Sequence, residues 1–212
     1  MQVETLPLGP IDTNAYVVRA NGSSEAIVID APFDAEEEIP PFLQENDLSL
    51  KAIFLTHGHW DHIGGAAKLA AQFDAPIIAG EDGKELYDAE FQMRHMYLST
   101  PIDDTKIAVY AHDGDTLEYA GLKIKCLEVP GHCPGSFAYL ISDGDETCLF
   151  SGDLIFENSV GRTDFWRGDF ATLENSIKQK IYTLPDSTVI YPGHGIFTYV
   201  GDEKKQNPFV RP

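Results

Sequence analysis

Ten residues, THGHWDHIGG from Thr56 to Gly65, constrain this chain more than any other stretch. Three histidines and an aspartate fall between His57 and His62. So dense a mixture of imidazole and carboxylate suits metal ligation better than core packing. The apolar run KAIFLT precedes the motif, and IGGAAKLAAQF, with Ala and Leu at helical spacing, follows it. The loop is therefore predicted to turn a buried strand into a helix over 63–73. His57 and His59, two apart on extended chain, project to one side, whereas Asp61 and His62 open the helical turn and can face a second ion.

Further donors come later: His132 in VPGHCPGS, Asp153 in LFSGDLIF and His194 in IYPGHGIF, each after an apolar run and beside glycine. At strand ends next to glycine the backbone can bend and approach closely. Seven side chains, His57, His59, Asp61, His62, His132, Asp153 and His194, are thus expected to converge on one edge of a sandwich. Neutral imidazoles and carboxylates suit Zn, Fe or Mn, and two ions about 3.5–4 Å apart can share a bridging carboxylate and a bridging water. Cys133, although adjacent to His132, is predicted to point away from a ligand on the same short loop. His95 and His112, in polar surroundings, lie outside the set.

Alternating or apolar runs predict strands at about 2–8, 14–20 and 25–30, the last two joined by a hairpin-like NGSS. Residues 34–47 read as a helix that Asp34 can cap, with acidic residues in the first turn. Strand-like APIIAG comes next, then a polar stretch over 81–100 with a break at Pro101. Short strands are predicted from 107 to 153, then a helix at about 169–182 and the strand STVIYP. Two halves, each strand-rich and then helical, predict an α/β layered sandwich: two sheets face to face with helices outside.

With 212 residues, 43% of them hydrophobic, a single domain spanning 1–212 is expected. The formal net charge of -19 repels phosphate backbones and argues against nucleic acid as a partner. The amino terminus lacks the basic start and apolar run of a secretory signal, and the apolar runs fall far short of the roughly 18 residues that cross a bilayer. A soluble, cytoplasmic protein without membrane contacts is the expectation. Cys126, Cys133 and Cys148 form no CxxC pair and fit a reducing compartment; Cys126 and Cys148, inside strand-like runs, read as buried small hydrophobes.

The run HxHxDH, with His132, Asp153 and His194 downstream, resembles the metallo-β-lactamase fold superfamily over essentially the whole chain. The resemblance implies a four-layer αβ/βα sandwich with the metals at one edge of the sheets. It also implies that His57, His59 and His132 hold a first ion, that Asp61, His62 and His194 hold a second, and that Asp153 bridges them. True metallo-β-lactamases lack an aspartate at the bridging position, which disfavours antibiotic hydrolysis; the acidity of the chain disfavours the nuclease branches. The stretches GDLIFENSVGRTDF and GDEKKQNPFV are similar to small bacterial hydroxyacylglutathione hydrolases, the glyoxalase II-like group. Larger members of that group carry a helical domain after the last histidine, which supplies glutathione contacts; this chain ends at Pro212.

The function this resemblance implies is thioester hydrolysis by two divalent ions, most simply Zn, with Fe or Mn as alternatives. A bridging hydroxide would attack, because metals lower the pKa of water from 15.7 toward about 7. Asp61 and Asp153 would be the catalytic carboxylates and a small-molecule thioester the partner. Arg162, in SVGRTDF, is the candidate for holding a substrate carboxylate, against the alternative of an ion pair with Asp164 or Asp169. The competing readings are a mononuclear iron persulfide dioxygenase or a lactonase of the same fold, and a non-catalytic metal-binding protein.

Overall fold

A computed structural model describes residues 1–95, 98 and 100–212. The chain opens as an antiparallel meander, β1 (Gln2–Leu8), β2 (Thr13–Arg19) and β3 (Glu25–Ile29). It continues in parallel through β4 (Ser49–Phe54), β5 (Ile77–Gly80) and β6 (Val109–Ala111), completing a sheet in the order β1-β2-β3-β4-β5-β6. Helices α1 (Ala35–Glu45), α2 (Trp60–Ile63), α3 (Ala66–Phe73) and α4 (Ala89–His95) make the crossovers or follow them. The second sheet takes β7 (Thr116–Tyr119), β8 (Leu122–Glu128), β9 (Phe137–Asp143) and β10 (Glu146–Gly152). A two-strand hairpin, β11 (Ile155–Phe156) and β12 (Ser159–Val160), and helix α5 (Phe170–Ser176) intervene before β13 (Val189–Pro192) and β14 (Thr198–Tyr199). The order is β14-β13-β10-β9-β8-β7, with β13 parallel to β10. Helix α6 (Val200–Gln206) follows.

Three apolar layers hold four structural ones together. The period-2 alternation of the strands sends Val17, Val28 and Ile53 toward α1 and α3, while Val18, Ile27, Ile29 and Phe54 face the other sheet. Opposite them stand Ile124, Phe137, Tyr139, Ile141 and Phe150. Leu127, Leu149 and Ile190, on the far face of the second sheet, pack against Leu173 and Ile177 of the α5 region and Val200 of α6. This is the expected αβ/βα sandwich. Cys126 and Cys148 are buried in its central layer, and all three cysteines are free.

Two local expectations need correction. Asp34 precedes α1 but makes no side-chain cap; its backbone is left-handed, with φ 71°, so the carboxylate is not presented to the first-turn amides. The predicted helix over 63–73 is broken into α2 and α3 at Gly64–Gly65. There the chain after β3 presses in: a Cβ on Gly65 would lie 2.4 Å from the Pro32 carbonyl oxygen, and one on Gly64 would lie 2.8 Å from the Phe33 ring. The predicted stretch over 81–100 contains a 3₁₀ segment, Glu81–Tyr87, and α4; positions 96, 97 and 99 lie outside the described residues. No helix among the described residues is long and apolar enough to cross a membrane.

Candidate metal centre

Each of the seven expected donors sits just beyond the end of a strand, and all lie along one edge of the sandwich. His57, His59, Asp61 and His62 follow β4 of the first sheet; His132 follows β8, Asp153 follows β10 and His194 follows β13 of the second. The buried strands place these loops, and glycine lets them meet. A Cβ on Gly193 would fall 2.2 Å from Asp153 Oδ1 and 2.7 Å from His62 Cε1.

The histidines split into two groups. His57 Nε2 and His132 Nε2 approach His59 Nδ1 at 3.1 and 2.9 Å, so three ring nitrogens share one point. Beside them, Asp61 Oδ2 lies 3.1 Å from His194 Nε2 and 3.4 Å from His62 Nε2. Asp153 stands between the groups, with Oδ1 3.3 Å from His62 Nε2 and Oδ2 3.7 Å from both His132 Nε2 and His194 Nε2.

The outer nitrogens fix the inner ones as acceptors. His62 Nδ1 faces Asp30 Oδ2 at 2.7 Å and His132 Nδ1 faces the Arg162 carbonyl at 2.7 Å; both partners only accept, so both nitrogens donate. Thr56 Oγ1 donates to Asp30 Oδ2 at 2.8 Å and is left to accept from His57 Nδ1 at 3.1 Å. Outer-shell hydrogen bonds of this kind orient imidazoles that ligate metals. Asp30, with φ 56° at the end of β3, also takes the Thr56 amide at 2.7 Å. Thr13 Oγ1 donates to Asp61 Oδ2 at 3.2 Å. Thr13 bridges His194 across the sheets, where Asn14 Nδ2 holds the Pro192 and Gly195 carbonyls.

Whether ions fit is tested by what remains unpartnered. His62 Nε2 and Asp153 Oδ1 are buried without a hydrogen-bond partner. With Nδ1 donating to Asp30, His62 turns Nε2 toward two carboxylates, an arrangement that calls for a positive charge between them, which a bound cation or a proton on Nε2 supplies. Burial and the neighbouring imidazoles hold His57 well below the ordinary histidine range. Burial brings His59 down to about 3 and lowers His132. These three imidazoles are held neutral at physiological pH, the form in which a histidine can ligate a metal. Burial would lower His62 as well, but Asp61, Asp30 and Asp153 overcome it and raise the residue well above its usual value. His194 is raised by its bond to Asp61 and by Asp153 against the cost of burial. Facing these imidazoles, Asp61 and Asp153 are lowered despite burial.

Cys133 does not point away as expected. Its Sγ lies within 4.8 Å of donor atoms of His57, His59 and His132, on a loop after β8 that the Val129 amide closes on the Ser136 carbonyl. Burial pushes the thiol up to about 12, and its Sγ sits 3.2 Å from Ser136 Oγ. His95 and His112 are exposed and belong to none of these donor groups. Arg162 is at the cleft, but Asp164 takes its Nε and Nη2 at 2.6 and 2.7 Å, and its guanidinium lies 4.0 Å over the Phe165 ring. Sequence reasoning missed Asp30, Thr56 and Thr13. Asp30 had a faint signal, a carboxylate ending the apolar run AIVID.

Five of the donors, His59, Asp61, His132, Asp153 and His194, line a cleft of about 400 Å³, walled by Ile11, Trp60, Phe156, Arg162 and Phe165. A cleft with imidazoles and carboxylates at its base and apolar side chains on its walls can hold a small molecule with a polar atom against those donors.

Comparison with known proteins agrees with this geometry. The family model described as the metallo-beta-lactamase superfamily matches residues 8–194. A Haemophilus influenzae protein named hydroxyacylglutathione hydrolase GloC is 34% identical over 99% of this chain and 98% of its own length. Among solved structures, the BLEG-1 B3 metallo-beta-lactamase has a TM-score of 0.91 at 34% identity and covers 100% of both chains. TTHA1623, solved in a di-iron-bound form, has a TM-score of 0.85 at 33% identity over 98% of this chain and 100% of that one.

Proposed function

The chain belongs to the metallo-beta-lactamase superfamily, and from that premise we propose a metal-dependent hydrolase of thioesters, of the hydroxyacylglutathione type. The observation that carries this reading is the pair of donor groups joined by Asp153 at the floor of an open cleft. His57, His59 and His132 would hold one divalent ion, Asp61, His62 and His194 another, and Asp153 would bridge them. Zn, Fe and Mn all accept this mixture of imidazole and carboxylate. When bound, two such ions supply Lewis acidity toward a carbonyl and lower the pKa of a shared water.

The chain's own residues do the rest. Asp61, anchored through Oδ2 by Thr13 and His194, is placed to orient the attacking water. The carbonyl of Arg162 keeps His132 in the tautomer that presents Nε2 to the site. A thiolate, with an ordinary pKa near 8.5, departs without a strong general acid. Arg162 offers its remaining Nη edge to a carboxylate of the departing thiol, held flat by Phe165 and from the side by Asp164. Arg162→Ala is expected to raise KM for S-lactoylglutathione on the order of 10- to 100-fold, with kcat changed far less.

The test of the whole reading is metal analysis paired with turnover. Two ions per chain, S-lactoylglutathione hydrolysis, and loss of both metal and rate in Asp153→Ala and His194→Ala, with the circular dichroism spectrum retained, are the expected results. One iron per chain with oxygen uptake on glutathione persulfide and no thioester turnover would replace it with the dioxygenase reading. The likeness to BLEG-1 favours a second hydrolytic reading: β-lactam turnover without thioester turnover would establish that one instead.

A further inference from the structure

The two flanks of the cleft differ. On the side of His132 stands Phe165, capped by the charged plane of Arg162. On the side of His194 the wall is apolar: Phe156 has its ring 6.3 Å from the His194 ring, and Ile11, 49% exposed, stands two residues before the Thr13–His194 bridge. Trp60, between His59 and Asp61, packs one side on Phe33 at 5.9 Å and also lines the cleft. Among the described lining residues, Arg162 is the one Arg or Lys.

We propose that the Ile11–Trp60–Phe156 flank is the acyl subsite, and that it selects 2-hydroxyacyl thioesters whose acyl group carries a branched or aromatic apolar substituent. This rests on the thioesterase reading, in which the anionic thiol lies toward Arg162 and the acyl half must extend toward the opposite wall. Three apolar side chains standing partly in water around a polar floor gain from a ligand that covers them. The whole cleft measures about 400 Å³, and the acyl half takes the part beside Ile11, Trp60 and Phe156. Phe156 is also held rigidly: its hairpin is tied to α6 through the Asn158 amide on the Glu203 carboxylate and through Asn207 Nδ2 on the Ser159 carbonyl. A wall fixed in this way discriminates by shape.

The experiment compares glycoloyl, lactoyl and mandeloyl thioesters of the same thiol on the metal-loaded protein. Expected is a kcat/KM that rises with apolar size, about tenfold or more from glycoloyl to mandeloyl, with much of that gain lost in Phe156→Ala and separately in Ile11→Ala. A flat or inverted series, or a gain that survives in both variants, overturns the subsite. Binding of thioether analogues by calorimetry reads the wall without catalysis. S-benzylglutathione should bind about tenfold more tightly than S-methylglutathione, and less so in Phe156→Ala. If no thioester is hydrolysed, the thioesterase reading fails, while the binding comparison still upholds the apolar flank or, with equal affinities, eliminates it.

Discussion

The residue with the largest reach in this centre is not one of the seven donors. Asp30 accepts from the Thr56 amide, the Thr56 hydroxyl and His62 Nδ1. One carboxylate thereby orients an imidazole of each donor group, His62 directly and His57 through Thr56. Asp30→Ala is expected to weaken metal binding about 10- to 100-fold without removing a ligand; competition titration with a chromogenic chelator measures this, and unchanged affinity would reduce Asp30 to a loop support. The sequence made the donors legible because metal chemistry needs particular side chains at short spacing on one loop. It left Asp30 unread, since an aspartate at a strand end also occurs for turn geometry alone. Cys133 was misjudged for a similar reason: its direction depends on how the loop after β8 closes and not on its neighbour His132.

Among the elements, the strands were legible from alternation, α1 from its acidic first turn and α3 from the spacing of Ala and Leu, whereas α6 and the β11–β12 hairpin were not. Their residues, such as GDEKKQ, carry little apolar pattern; what holds them is a buried polar network. Glu203, 1% exposed, accepts from the Asn158 amide, from Thr198 Oγ1 at 2.7 Å and from Asn207 Nδ2 at 2.8 Å. Asn207 Oδ1 in turn accepts the Phe209 and Val210 amides. Removing the carboxylate strands several buried donors, so Glu203→Ala should cost about 1–3 kcal/mol or more of stability, with Glu203→Gln milder. Urea denaturation at equal metal loading gives the number; a loss below about 0.5 kcal/mol would mean that water satisfies the network instead. The helix break at Gly64–Gly65 escaped periodicity because it answers to Pro32 and Phe33, remote in sequence.

At the scale of the whole molecule, each proposed metal position takes donors from both sheets: His57 and His59 with His132, and Asp61 and His62 with His194. Bound ions would therefore clamp the sandwich along one edge, and removing them with a chelator should lower Tm reversibly. Ligand at 1,000 times its Kd is worth about 4 kcal/mol. Acid should empty the positions in order. A metal must displace any proton held by its ligand, and His62 and His194 are raised while His57, His59 and His132 are lowered. As pH falls, protons reclaim the raised pair first, so metal content should step from two ions toward one, the three-histidine ion leaving last. Loss of both ions together, or of the three-histidine ion first, would contradict the assignment. The split ownership of these positions also bears on the order in which the protein matures. A newly made chain that has folded only through β6 owns four of the seven donors and neither complete position. His194, the last to be added, must arrive before the second ion has its full set. On this assignment full-affinity metal capture would follow the docking of the two sheets, and the ions would be a seal on the finished sandwich rather than a seed for its assembly.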